Sequence, residues 1–137
     1  MILFTLLVME WSIYKDVLES IMEFSKSFYP NEFSGILFCD INNQIIEDIY
    51  YLPGTVSSNN SAYLRLDFAP LSLRLVGSVH SHPAGSGGAS RADINFFSTK
   101  QINIIAFYPF NLDCYKVYDK QGKITTLNLI NRKNPEK

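Results

Sequence analysis

The sequence predicts one α/β domain: a curved mixed β-sheet flanked by helices. Its 137 residues suit a single domain, and a composition 47% hydrophobic and 14% aromatic can fill a sizeable core. Apolar runs of strand length recur between turn-forming residues, at 33–39, 44–52, around Leu75, Val76 and Val79, at 102–108, 114–118 and 124–129. Two stretches instead follow helical spacing, one before the first of these strands and one between the third and fourth. The domain is expected to span 11–130, with 1–10 an apolar extension or strand and 131–137 a frayed tail.

Taken in order, Met1 to Met9 is apolar but far short of the ~20 residues that cross a bilayer. It also lacks the basic start and small-residue cleavage site of a signal peptide, so a packed first strand is favoured over a sticky extension. Ser12 is the expected N-cap of a helix running to about Phe28, with Ile13, Val17, Leu18, Ile21 and Met22 on one face and Pro30 as terminator. Phe33 to Cys39 and Gln44 to Leu52 then form a hairpin across a turn at 40–43. Residues 53–61 are a polar loop, Tyr63 to Asp67 alternates like a half-exposed strand, and Phe68 to Arg74 suits a short helical turn. A helix is expected from Arg91 to about Lys100, packed down by Ile94, Phe96 and Phe97. Strands at Ile102 to Tyr108, Cys114 to Tyr118 and Ile124 to Leu129 complete the sheet.

Charge excludes some partners. With a formal net charge of −1 and 18% charged residues, the chain has no basic field for a phosphate backbone and no acidic tail. Neither nucleic acid nor a membrane is an expected partner. Cys39 and Cys114 each stand alone in a strand, which favours two buried thiols, a reducing compartment and a cytoplasmic location over a disulfide between them. The apolar N-terminus would support a homodimer.

The chemistry-bearing stretch is Gly77 to Asp93. His80 and His82, the only two histidines, stand two apart on an apolar strand, so both imidazoles point to one face. Ser90 follows, with Asp93 three residues later, a capping-box-like start that puts Asp93 in the first helical turn. Each feature has a plainer reading: a histidine is often only a polar residue, and Ser-x-x-Asp is often only a cap. Together in one strand, Gly-rich turn and helix they form a metal site. Two imidazoles and a carboxylate suit Zn2+, and three protein ligands leave a fourth position open, as a catalytic zinc requires. Neither cysteine is placed to close it.

This pattern, His80-x-His82-Pro83 with residues 83–89 before Ser90-x-x-Asp93, resembles the signature of the JAMM/MPN+ zinc metalloproteases. Upstream, Pro30-Asn31-Glu32-Phe33-Ser34-Gly35 resembles that family's Pro-x-Glu-x-x-Gly stretch, and the layout is similar to archaeal single-domain members. The resemblance implies a cytidine-deaminase-like architecture and a zinc isopeptidase acting on a ubiquitin-like modifier. It implies zinc ligands His80, His82 and Asp93, and Glu32 as the base that moves a proton from the attacking water to the leaving amine. Ser90 would steady the oxyanion, its hydroxyl serving the helix cap as well. Ser81 faces away from the histidines and is structural, while Pro83 and Gly85 shape the turn. The insertion that pairs with the substrate tail in eukaryotic relatives is short here and would have to be formed by residues 57–66.

Other readings are weaker. No His-Glu-x-x-His helix occurs, and His82 stands where a zinc base deaminase needs its glutamate, with no Cys-x-x-Cys. A non-catalytic MPN scaffold would have lost the metal residues, which this chain keeps. The relatives found with DNA-repair genes share the turn but carry an extra helical module. A zinc hydrolase trimming the C-terminus of a small sulfur-carrier protein remains the alternative, since its bond chemistry is the same.

Overall fold

The computed structural model describes residues 10–40, 42–52, 73–85, 88–97 and 100–132. Within them the chain forms β1 (Trp11–Tyr14), α1 (Lys15–Phe28), β2 (Ser34–Asp40), β3 (Ile45–Leu52), β4 (Leu73–His82), α2 (Arg91–Phe97), β5 (Ile102–Phe107), β6 (Tyr115–Asp119), β7 (Ile124–Thr125) and β8 (Leu127–Ile130). The strands make one eight-stranded mixed sheet in the order β7-β6-β5-β4-β2-β3-β1-β8. Its two edges, β7 and β8, are separated by Thr126 alone, so the sheet has to curl until its margins meet. The result is nearly a barrel.

β4 lies at the middle of this order. It pairs antiparallel with β2 and parallel with β5, and the run Val76 to Val79 is buried, as expected for a strand covered on both sides. Gly77 is required there: a Cβ would collide with the Ile102 carbonyl oxygen on the neighbouring strand. α1 packs its Val17, Leu18, Ile21 and Met22 stripe against one face, where Phe33, Leu37, Val79, Ile102, Ile104 and Ala106 complete the core. The other face carries α2 and a smaller cluster of Ile105 and Tyr118 with Ala89 packed against it.

Three expectations are corrected. Ser12 is no N-cap: it lies in β1, its N–H bonds to the Gln44 carbonyl, and the helix begins at Lys15 without a side-chain cap. Pairing with β3 and β8, distant in sequence, outweighs the local capping signal, and Ile13 is a core strand residue rather than part of the helical stripe. Ile124 to Leu129 is two strands on opposite sheet edges, because the curl breaks it at Thr126. Leu73 and Arg74 belong to β4, pairing with Asp40 and Cys39, and not to a helical turn.

The hairpin β2–β3 stands where the hydrophobic runs put it. Cys39 and Cys114 are buried free thiols, and burial pushes the Cys39 thiol up. Residues 1–9, the loop and strand expected within 53–72, the side chains of Phe96 and Phe97, and the tail beyond Arg132 lie outside the described residues. Arg132 itself grips Asp16 through two hydrogen bonds and lies 4.1 Å from the Tyr14 ring centre. Among the described residues no helix is long and apolar enough to cross a membrane.

Candidate metal centre

The strand pleat brings both histidines to the face that carries α2. His80 pairs in register with Ser34 on one side and Ile105 on the other, and His82 with Phe107, so their positions are set by the ladders. After His82 the chain turns through Pro83 and Gly85, whose φ of +84° suits glycine. It returns as α2, whose first turn presents Asp93. The start of α2 is a reciprocal cap: the Ser90 N–H donates to Asp93 Oδ2 at 2.9 Å, and the Asp93 N–H donates to Ser90 Oγ at 3.1 Å.

His80 Nε2 stands 3.1 Å from Asp93 Oδ1 and 3.2 Å from His82 Nε2, and His82 Nε2 stands 3.5 Å from Asp93 Oδ2. One ligand atom from each lies within 4.8 Å of the others. Zinc bonds of about 2.0–2.1 Å in tetrahedral geometry put ligand atoms about 3.3–3.4 Å apart. The separations, measured to the two different Asp93 oxygens, lie near that distance, so the donors suit such an ion in type and can gather around one. Their side chains are 13%, 19% and 17% exposed, which keeps them sheltered yet reachable from one side.

Electrostatics favour the binding forms. Burial, the largest influence, pushes the His80 imidazole below its ordinary value, and His82 adds to this, while Asp93 and Glu32 pull the other way. The neutral imidazole is the form that takes a metal. For Asp93 burial is again the largest influence and would raise the carboxyl. The hydrogen bonds from Ser90 and the neighbouring histidines outweigh it, so the carboxyl stays below its usual range and ionised.

Ser90 has capacity beyond its cap. In the cap its Oγ only accepts, so its O–H remains a donor. Glu32 is exposed, just before β2, and its charge is felt at His80. Glu32 precedes Phe33, which is bonded to Ser81 between the two histidines, and it is not one of the three clustered metal donors.

Two supporting residues have no spacing signal of their own. Ser81 is fully buried on the α1 side, where its Oγ accepts the Phe33 N–H at 2.8 Å. Tyr118, buried on β6, accepts the Ala89 N–H at 3.2 Å with its hydroxyl and so holds the residue before Ser90. Alternation on β4 reveals that Ser81 turns from the histidines; nothing local links Tyr118 to residue 89.

Comparisons with known proteins find relatives in sequence and in fold. The family of prokaryotic homologues of the JAB domain matches residues 14–118. A Haloferax volcanii protein named as a probable metalloprotease is 32% identical over 123 residues, which cover 84% of this chain and 76% of that protein. The structure of a JAB1/MPN domain protein from Archaeoglobus fulgidus aligns with 88% of this chain and 98% of its own, with a TM-score of 0.72 and 25% identity. A structure described as JAMM, a metalloprotease-like zinc site in the proteasome and signalosome, shares the fold, with a TM-score of 0.67 and 24% identity over 88% of this chain and 98% of its own.

Proposed function

The chain belongs to the JAB/JAMM metalloprotease-like family, among the prokaryotic homologues of the JAB domain, and on that premise we propose that it is a zinc-dependent isopeptidase. Its substrate is the bond between the C-terminus of a ubiquitin-like modifier and a lysine amine. The observation that carries this reading is the convergence of the His80, His82 and Asp93 donor atoms within reach of one ion.

His80, His82 and Asp93 would hold the ion. Bound there, zinc would supply Lewis acidity, lowering the pKa of a water toward about 7 and polarising the scissile carbonyl. Glu32 accepts the proton of the attacking water and delivers it to the leaving lysine amine, a carboxylate shuttle supported by its place next to Phe33, which Ser81 bonds, and by its charge being felt at His80. The Ser90 O–H, free of the cap, donates to the oxygen that gains charge. The partial exposure of the three donors leaves one side of the site open to a substrate.

The test is cleavage of a ubiquitin-like protein joined through its C-terminus to a lysine side chain, by zinc-loaded wild type and zinc-loaded Glu32→Gln. Release by the wild type alone, with equal zinc in both proteins, is the expected result. Cleavage by Glu32→Gln at the wild-type rate removes Glu32 as the base. If neither protein cuts while both hold zinc, the substrate reading fails, and the C-terminus of a sulfur-carrier protein becomes the substrate to try.

A further inference from the structure

The strand that carries both histidines also touches the segment that carries Glu32, and the contact is made by the residue between them. Ser81 is fully buried, and it bonds Phe33 twice: its N–H donates to the Phe33 carbonyl at 2.9 Å, and its Oγ accepts the Phe33 N–H at 2.8 Å. An ordinary antiparallel pair would return the second bond through a backbone carbonyl. Here a side chain takes that place, just beyond the last β2–β4 pair, Ser34 with His80.

The position of the bond gives it a consequence for Glu32. The Phe33 N–H belongs to the peptide that joins Glu32 to Phe33, and a planar peptide includes the Glu32 Cα. Orienting that N–H therefore orients the Glu32 Cα relative to β4. The Phe33 ring is held separately, stacked 5.3 Å from Phe24 and tilted 5.8 Å from Phe28. Ring packing fixes the Phe33 side chain; the hydroxyl fixes the peptide plane before it. Glu32 itself is exposed, so its backbone orientation is what sets its reach.

We infer that Ser81 is a positioning residue for Glu32, locking the base to the strand that holds the two imidazoles. The inference rests on the proposed role of Glu32. Its distinct content is that base placement and metal holding separate at one residue: the Ser81 hydroxyl serves the first and not the second, because it lies on the opposite face from His80 and His82.

The experiment compares Ser81→Ala, Ser81→Thr and Glu32→Gln, with Ser25→Ala as a control. Ser25 is a fully buried hydroxyl on α1 that donates to the Ile21 carbonyl, away from the metal centre. Zinc affinity is measured on each protein, and kcat and KM at saturating zinc. Ser81→Ala is expected to bind zinc within about twofold of wild type while kcat falls about 10- to 100-fold, the range for a misplaced catalytic group, and KM stays within about twofold. Ser81→Thr, which keeps the acceptor, restores kcat to within about threefold, and Ser25→Ala leaves it unchanged. If Ser81→Ala does not fold, Ser81→Cys carries the test, with a weaker acceptor at similar size and an intermediate loss of kcat.

Wild-type kcat in Ser81→Ala, failure of Thr to rescue, or a fall in zinc affinity with normal kcat at saturating zinc each overturns the inference. Glu32→Gln separates the two claims. An active Glu32→Gln removes the base itself, whereas an inactive Glu32→Gln beside a fully active Ser81→Ala removes only the role of Ser81.

Discussion

The two sides of the metal centre are held by different means. His80 and His82 stand on β4, which is hydrogen-bonded to β2 along one edge and to β5 along the other. Asp93 stands on a seven-residue helix whose start is held by the Ser90–Asp93 cap and the Tyr118 hydroxyl. In the ladders no one bond decides where an imidazole points, since the load is spread over two strands. On the cap side single bonds decide, each contributing about 1 kcal/mol. The histidine side should therefore yield only to changes that break the sheet, and the carboxylate side to changes of one atom.

The comparison can be broken in three ways. His82→Ala deletes a donor without disturbing a ladder, so the protein should fold yet lose bound zinc and all cleavage, as metal analysis of the purified variant would show. A variant that still held one zinc per chain would mean that the ligand set is wrong. Gly77→Ala attacks the ladder itself, because the new Cβ meets the Ile102 backbone. A loss of about 3 kcal/mol or more in urea unfolding is expected. Stability near wild type would show that β4 and β5 can part cheaply and that the histidine side is not rigid.

Ser90→Ala gives the smallest structural effect. Loss of the Oγ acceptor costs about 1 kcal/mol, and zinc should still bind, because the Ser90 backbone N–H that holds the Asp93 carboxylate remains. Turnover should fall about 100-fold or more, because the free O–H is gone along with the cap. Urea unfolding and kcat on the same protein separate the two roles of Ser90. A stability loss as large as that of Gly77→Ala would erase the contrast between ladder and cap.

The same contrast explains what the sequence could disclose. His-x-His on a strand and Ser-x-x-Asp at a helix start are local spacings, so the three donors could be named before their distances were known. Glu32 carries no such spacing, and only the resemblance of Pro30 to Gly35 to a family pattern points to it. The hairpin β2–β3 and the burial of β4 follow from runs of apolar residues, which depend on neighbours close in sequence. Ser12 misleads because its backbone partners are Ile45 and Asn128, which no local rule can see. The break at Thr126 is set by curvature, a property of all eight strands together. Tyr118 escapes notice for a similar reason, since its bond to Ala89 joins the sheet to a loop 29 residues away.

The parallel pairing of β1 with β8 bears on the order in which the protein is made. Trp11 to Tyr14 leave the ribosome long before Leu127 to Ile130, yet each is the other's neighbour in the finished sheet. During synthesis β1 can dock on β3 while its far edge stays bare, an invitation to pair with another nascent chain. β8 covers that edge, and Arg132 then clasps Asp16 and stacks over Tyr14 behind it. The strand that closes this edge is thus made well after β4 and α2, which carry the His80, His82 and Asp93 donors.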